Sequence, residues 1–140
     1  MKQIVYISLF LFCVMSCSKG YDKARLIAGD SCQYWYYAHS DPDVKTKFYM
    51  YFDREGRMYT LEERYADKKF YLHDVDDVET IPTWSMVNDS VIEMGSLNWK
   101  LTIVNDTFLI ITTDEYHWGD TLYKVTDAYL LKKLQKVPIP

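Results

Sequence analysis

The sequence predicts an all-β protein: an antiparallel up-and-down meander of about eight strands, closing into a barrel behind an export signal. Three observations carry this reading. Short runs with a period of two recur through the chain, as in Lys47 to Phe52, where Phe48, Met50 and Phe52 alternate with Lys47, Tyr49 and Tyr51. Turn-forming residues separate the runs: Asp53-Arg54-Glu55-Gly56, Asn88-Asp89, Gly95-Ser96 and Asn105-Asp106. No ten-residue helical segment stands between one strand and the next, which excludes parallel βαβ units. Sequential hairpins place each strand beside its predecessor, and closure of such a sheet removes its exposed edges.

The chain opens with Met1-Lys2 and an apolar run from Ile4 to Met15. The run has the length of a signal-peptide core, roughly 7–15 residues, and falls short of the roughly 20 needed to span a bilayer. Val14-Met15-Ser16-Cys17 then resembles the lipobox of bacterial lipoproteins: an aliphatic residue, a variable one, a small one and a cysteine. The resemblance implies cleavage before Cys17, a diacylglycerol on its thiol and a third acyl chain on its amine. Two or more chains anchor a protein stably, which one chain does not. The plain alternative is a secretory signal with an incidental cysteine. Ser18 to Asp22 lack the acidic run of a surface-export signal, which points to the periplasmic face of the outer membrane. The chain therefore divides into a lipoprotein signal peptide over residues 1–16, a lipidated tether over 17–25 and one domain over 26–140.

That length supports one core. The formal net charge of −4 becomes one unit more acidic once Lys2 leaves with the signal, so nothing recommends the domain for nucleic acid, which asks for a basic face. With Cys13 in the signal and Cys17 lipidated, Cys32 has no partner for a disulfide and reads as a small apolar residue.

Element by element, Ala24 to Gly29 reads as a helical turn closed by Gly29. Cys32 to Ala38 is an aromatic strand, with Tyr34 and Tyr36 on one face and Trp35 and Tyr37 on the other. His39 to Asp43 is a loop holding Pro42. Lys47–Phe52 and Arg57–Glu62 form a hairpin about Gly56. Glu62 to Lys69 is charged and reads as a helical turn or a wide loop; Phe70 to His73 is a short strand; Asp74 to Glu79 is an acidic connection. Thr83–Val87, Ser90–Met94, Leu97–Val104 and Thr107–Thr113 follow as strands. Two of the hairpins echo each other, each a strand opening with Trp84 or Trp99, an Asn-Asp turn and a β-branched return. Asp114 to Asp120 is a loop and Thr121 to Val125 a strand. Over Ala128 to Lys136, Leu130, Leu131 and Leu134 behind Asp127 have helical spacing, whereas continuity of the meander favours a closing strand. The strand is the reading adopted.

Leu26 to Gly29 before the first aromatic strand, with the Trp84…Asn88-Asp89 and Trp99…Asn105-Asp106 hairpins, resembles the small lipocalin-like lipoproteins of Bacteroides-type bacteria over roughly Leu26 to Leu134. That family often carries Gly-x-Trp at the entry to the first strand, where this chain has Gly29-Asp30-Ser31 and a first tryptophan at Trp35. The resemblance implies a lipocalin-like barrel.

Catalytic chemistry finds no support in the residues. His39, His73 and His117 lie in or beside three different loops without the pair spacing of a zinc site, and no Gly-x-Ser-x-Gly elbow occurs. The acidic Asp74–Glu79 segment lacks the glycine and frame of an EF-hand loop. The expectation is a non-catalytic binding protein without metal or cofactor, held to the membrane through Cys17. A small apolar ligand would sit in the barrel against Trp84, Met86, Trp99 and Trp35. Two other readings stay open: a protein-interaction module of inhibitor, immunity or envelope-complex type presenting Tyr34/Tyr36 or Tyr116/Trp118, and a glycan-binding surface of exposed aromatic rings.

Overall fold

The computed structural model describes residues 22–38, 43–73, 82–113 and 119–140. The signal, Cys17, most of the His39–Asp43 loop, the acidic Asp74–Glu79 connection and residues 114–118 lie outside them. The described chain begins with a short helix α1 (Lys23–Ala28). Nine strands follow: β1 (Cys32–Ala38), β2 (Lys47–Asp53), β3 (Met58–Glu63), β4 (Phe70–Leu72), β5 (Trp84–Asn88), β6 (Val91–Met94), β7 (Leu97–Val104), β8 (Phe108–Thr112) and β9 (Gly119–Lys124). Helix α2 (Ala128–Leu134) ends the fold.

All nine strands belong to one antiparallel sheet in the order β4-β3-β2-β1-β9-β8-β7-β6-β5, a meander whose first and last strands pair at the centre. The turns follow from their residues. Asp53 Oδ1 accepts the Glu55 and Arg57 amides at 3.0 and 2.9 Å, and Gly56 takes a φ of 84°, which costs a glycine nothing. Asn88 accepts the Ser90 amide at 2.8 Å, and Asn105 accepts those of Thr107 and Phe108 at 2.8 and 2.9 Å. The echo between the two hairpins is thus a shared side-chain-to-backbone turn.

Irregular register between Met86 and Asn88 and between Leu101 and Ile103 bends the second half of the sheet. The bend brings β5 back to β2, far from it in strand order: the Phe52 and Trp84 rings meet edge-on at 5.6 Å, and Trp84 Nε1 donates to the Asp53 carbonyl at 2.9 Å. The sheet is not closed. β4 and β5 are its edges, and β5 touches the start of β3 through one bridge, Arg57–Thr83, flanked by bonds from Met58 N to Pro82 O at 2.9 Å and from Trp84 N to Gly56 O at 2.8 Å.

Two cores result. The inner one gathers Trp35, Phe52, Trp84, Ile92, Met94, Leu101, Leu109, Ile111 and Leu122, with Ile27 and Ala28 of α1 packed into it. The outer one holds Tyr34, Tyr49, Tyr51 and Leu61 under Leu134 of α2 and Val137 of the tail. The closing strand expected over residues 128–136 is replaced by this helix. Local chemistry prevails there: Asp127 caps it by accepting the Leu130 amide at 2.7 Å, and Leu130, Leu131 and Leu134 share the face that packs on the sheet. The partner that a closing strand would have supplied to β1 is β9 itself.

Candidate functional site

Inside the curl lies a cavity of about 270 Å³, lined by Tyr37, Phe48, Met50, Thr60, His73, Met94, Trp99, Ile111 and Asp120. Pairing explains the assembly. Tyr37 faces Phe48 across β1–β2, Met50 faces Thr60 across β2–β3, and Ile111 faces Asp120 across β8–β9. The curl brings Met94 and Trp99 from the far half of the sheet to the same space. Toward α1 the interior is filled. Trp35, two residues before Tyr37, is fully buried, and its Nε1 donates to the Ile27 carbonyl at 2.8 Å. His73, at one edge of the lining, has a side chain that is 33% exposed.

The lining is apolar except for two polar corners. In one, Tyr37 Oη donates to Asp120 Oδ1 at 2.8 Å; burial, then this bond, pushes the phenol up to about 12, so it stays a neutral donor. In the other, His73 Nδ1 lies 2.8 Å from Glu62 Oε2, with the Phe48 ring edge-on to the imidazole at 5.2 Å. Arg64 Nε donates to Glu62 Oε1 at 2.6 Å; this bond first, with His73 adding to it, holds the Glu62 carboxyl below its ordinary range against the effect of burial. The cavity thus offers an apolar body and hydrogen-bonding groups at two edges, the usual make-up of a small-molecule site.

Of the four residues named from sequence, Trp99 lines the cavity. Trp35 and Trp84 are packed into the inner core with their indole N–H groups bonded to backbone carbonyls, and Met86 is half-buried against the same core. Tyr37, Phe48, Met50, His73 and Asp120 were not foreseen as lining. Alternation put Phe48 and Met50 on an apolar face, but no sequence signal separates a packed stretch of that face from an empty one.

Elsewhere, Tyr34 is buried and Tyr36 half-buried, while Tyr116 and Trp118 lie outside the described residues. An outer groove of about 410 Å³ is lined by Tyr36, Tyr49, Tyr123, Lys47, Lys124 and Asp127, among others. The Tyr36 and Tyr49 rings there are tilted by 49° and Tyr49 is buried, so those two offer no flat stacking platform. Cys32 is half-buried against the outer core. Among the described residues no group of three or more His, Cys, Asp or Glu is placed to hold a metal ion, and no helix is long and apolar enough to cross a membrane. His39 and His117 lie outside the described residues. Comparison with protein-family models, curated proteins and solved structures finds no match for the chain.

Proposed function

We propose that the protein is a non-catalytic, lipid-anchored binding protein of the cell envelope, a lipocalin-like barrel holding a small, mostly apolar ligand. The observation that supports the reading is the 270 Å³ cavity, with Phe48, Met50, Met94, Trp99 and Ile111 as its apolar lining and the Tyr37–Asp120 and Glu62–His73 pairs at its edges. It lies just under the roughly 300–1,000 Å³ of sites for drug-sized molecules, so the ligand is compact. One hydrogen-bonding end would meet Asp120 or His73. The anchor is Cys17, on the periplasmic face of the outer membrane.

The test is displacement of a fluorescent apolar probe, N-phenyl-1-naphthylamine, from the wild type and from Met94→Trp, which fills the cavity. Probe binding to the wild type, lost in the folded variant, supports the site. Binding unaffected by the filled cavity, or none at all, removes it. Mass spectrometry of the native protein tests the anchor: three acyl chains on Cys17 are expected, and an unmodified thiol contradicts it.

A further inference from the structure

On the outer side of the molecule, the β3–β4 turn and the end of α2 enclose a groove of about 310 Å³. Lys68 and Lys69 come from the turn, Lys133 and Lys136 from the helix and the residues just after it, and Phe70, Val137 and Pro138 complete the lining. Four lysines line one groove in a chain whose net charge is −4. Among the described residues none of the four pairs with a carboxylate. Asp67 accepts the Tyr71 hydroxyl at 2.5 Å and the Lys69 amide at 3.1 Å, and Glu62 holds Arg64 and His73.

The turn is built to present these lysines. Lys68 has a φ of 55°, a left-handed conformation that is sterically costly for any side chain and free for glycine. It is the one non-glycine residue so placed among the described residues. Bonds from Lys68 N to Arg64 O at 2.9 Å and from Arg64 N to Lys69 O at 3.0 Å hold it there. Lys133 Nζ lies 6.0 Å from the centroid of the groove-lining Phe70 ring and 4.5 Å from that of Tyr129, and Lys68 Nζ 4.1 Å from that of Tyr65, contacts that leave the charges unneutralised.

A lysine is a point charge with three rotatable donors, whereas a planar carboxylate is best met by the fork of an arginine. Arg64 is committed to Glu62 and to the face of Tyr71. Four point donors arriving from two elements suit a tetrahedral oxyanion, whose oxygens point several ways. We propose that this groove is a second ligand site, taking the phosphate of a phosphate-bearing molecule among Lys68, Lys69, Lys133 and Lys136, with the carbon body against Phe70, Val137 and Pro138. The site is independent of the inner cavity and of what that cavity binds. Two sources present this chemistry, a soluble phosphate ester and the head group of an anionic phospholipid.

The experiment titrates the folded chain with pyrophosphate, followed by amide NMR, and measures co-sedimentation with phosphatidylglycerol against phosphatidylcholine vesicles. Shifts confined to residues 64–70 and 131–138 are expected. Lys133→Glu with Lys136→Glu should weaken binding by about tenfold or more, and Lys132→Glu, on the same helix but outside the groove, by about twofold at most. Lys68→Gly relieves the backbone and removes a donor, so it should bind more weakly while melting no lower than the wild type. Pyrophosphate binding without vesicle binding assigns a soluble ester; groove-dependent binding to anionic vesicles assigns the lipid; either supports the site. Binding of neither probe, shifts scattered over the surface, or equal losses in Lys132→Glu and the double variant overturn it.

Discussion

The two faces of the curled sheet are drawn from the same strands and similar residues, yet one is covered by a separate element and the other curls on itself. Along β1, Tyr34 and Tyr36 point outward while Trp35 and Tyr37 point inward; along β2, Tyr49 and Tyr51 oppose Phe48, Met50 and Phe52. Outside, a separate element adjusts to the surface: α2 and the tail lay Leu130, Leu131, Leu134, Val137 and Ile139 over the tyrosines. Burial pushes the Tyr34 and Tyr49 phenols up to about 12, so these two stay neutral. Inside, α1 fills one end, and the strands bound the rest with their own side chains. Nothing else among the described residues enters there, and the cavity is what remains. The outer face is covered only where α2 and the tail reach, with open grooves of about 410 and 310 Å³ beside them; the inner face, curled on itself, keeps a cavity of about 270 Å³ where the side chains of its strands stop meeting.

The largest effect should come from breaking the inner seal. Trp35→Ala removes the fully buried ring under the cavity and leaves the Ile27 carbonyl without its donor; a loss of ~3–5 kcal/mol in urea unfolding is expected. On the outer face, Leu134→Ala is expected to cost ~2–5 kcal/mol by loosening α2. It should leave probe binding by the remaining folded protein unchanged, which separates the two faces.

Next comes the turn that joins them. Asp53 is buried, and its carboxylate accepts the Arg57 guanidinium at 2.6 Å, the Tyr51 hydroxyl at 3.2 Å and two backbone amides. Burial raises its pKa, but the backbone and side-chain bonds from Arg57 outweigh that and hold it below the ordinary value. Because Arg57 is partly exposed, Asp53→Asn should cost ~1–3 kcal/mol rather than the full penalty of breaking a buried pair. Asp53 and Glu62 are both depressed in the folded state. Their stabilisation is therefore present above the unfolded carboxyl pKa of about 4 and lost as the pH falls through the lower folded values. The urea midpoint should fall on acidification through that window, less steeply in Asp53→Asn. The smallest change is at the cap of α2, where Asp127→Ala should cost about 1 kcal/mol in thermal unfolding.

Much of the meander is legible in the residues. The β2–β3 hairpin follows from strict alternation about Gly56, and the β5–β6 and β7–β8 hairpins follow from their Asn-Asp turns, because each is decided by neighbours in the chain. The C-terminal helix is also written locally, in Asp127 and the leucine spacing, and these prevail over continuity of the meander. Most of the cavity lining is not legible in the residues. Trp84 at the start of β5 and Trp99 near the start of β7 share the same alternation, yet the curl packs one against Phe52 and leaves the other at an open space. His73 and Asp120 reach that space from the ends of β4 and β9, where no periodicity marks a face.

Methyl NMR during titration with N-phenyl-1-naphthylamine tests the central claim most directly. The account predicts that the methyl groups of Met50, Met94 and Ile111 shift together while those of Leu61, Leu134 and Val137 stay in place. Shifts concentrated in the outer three, with the inner three unmoved, would contradict it.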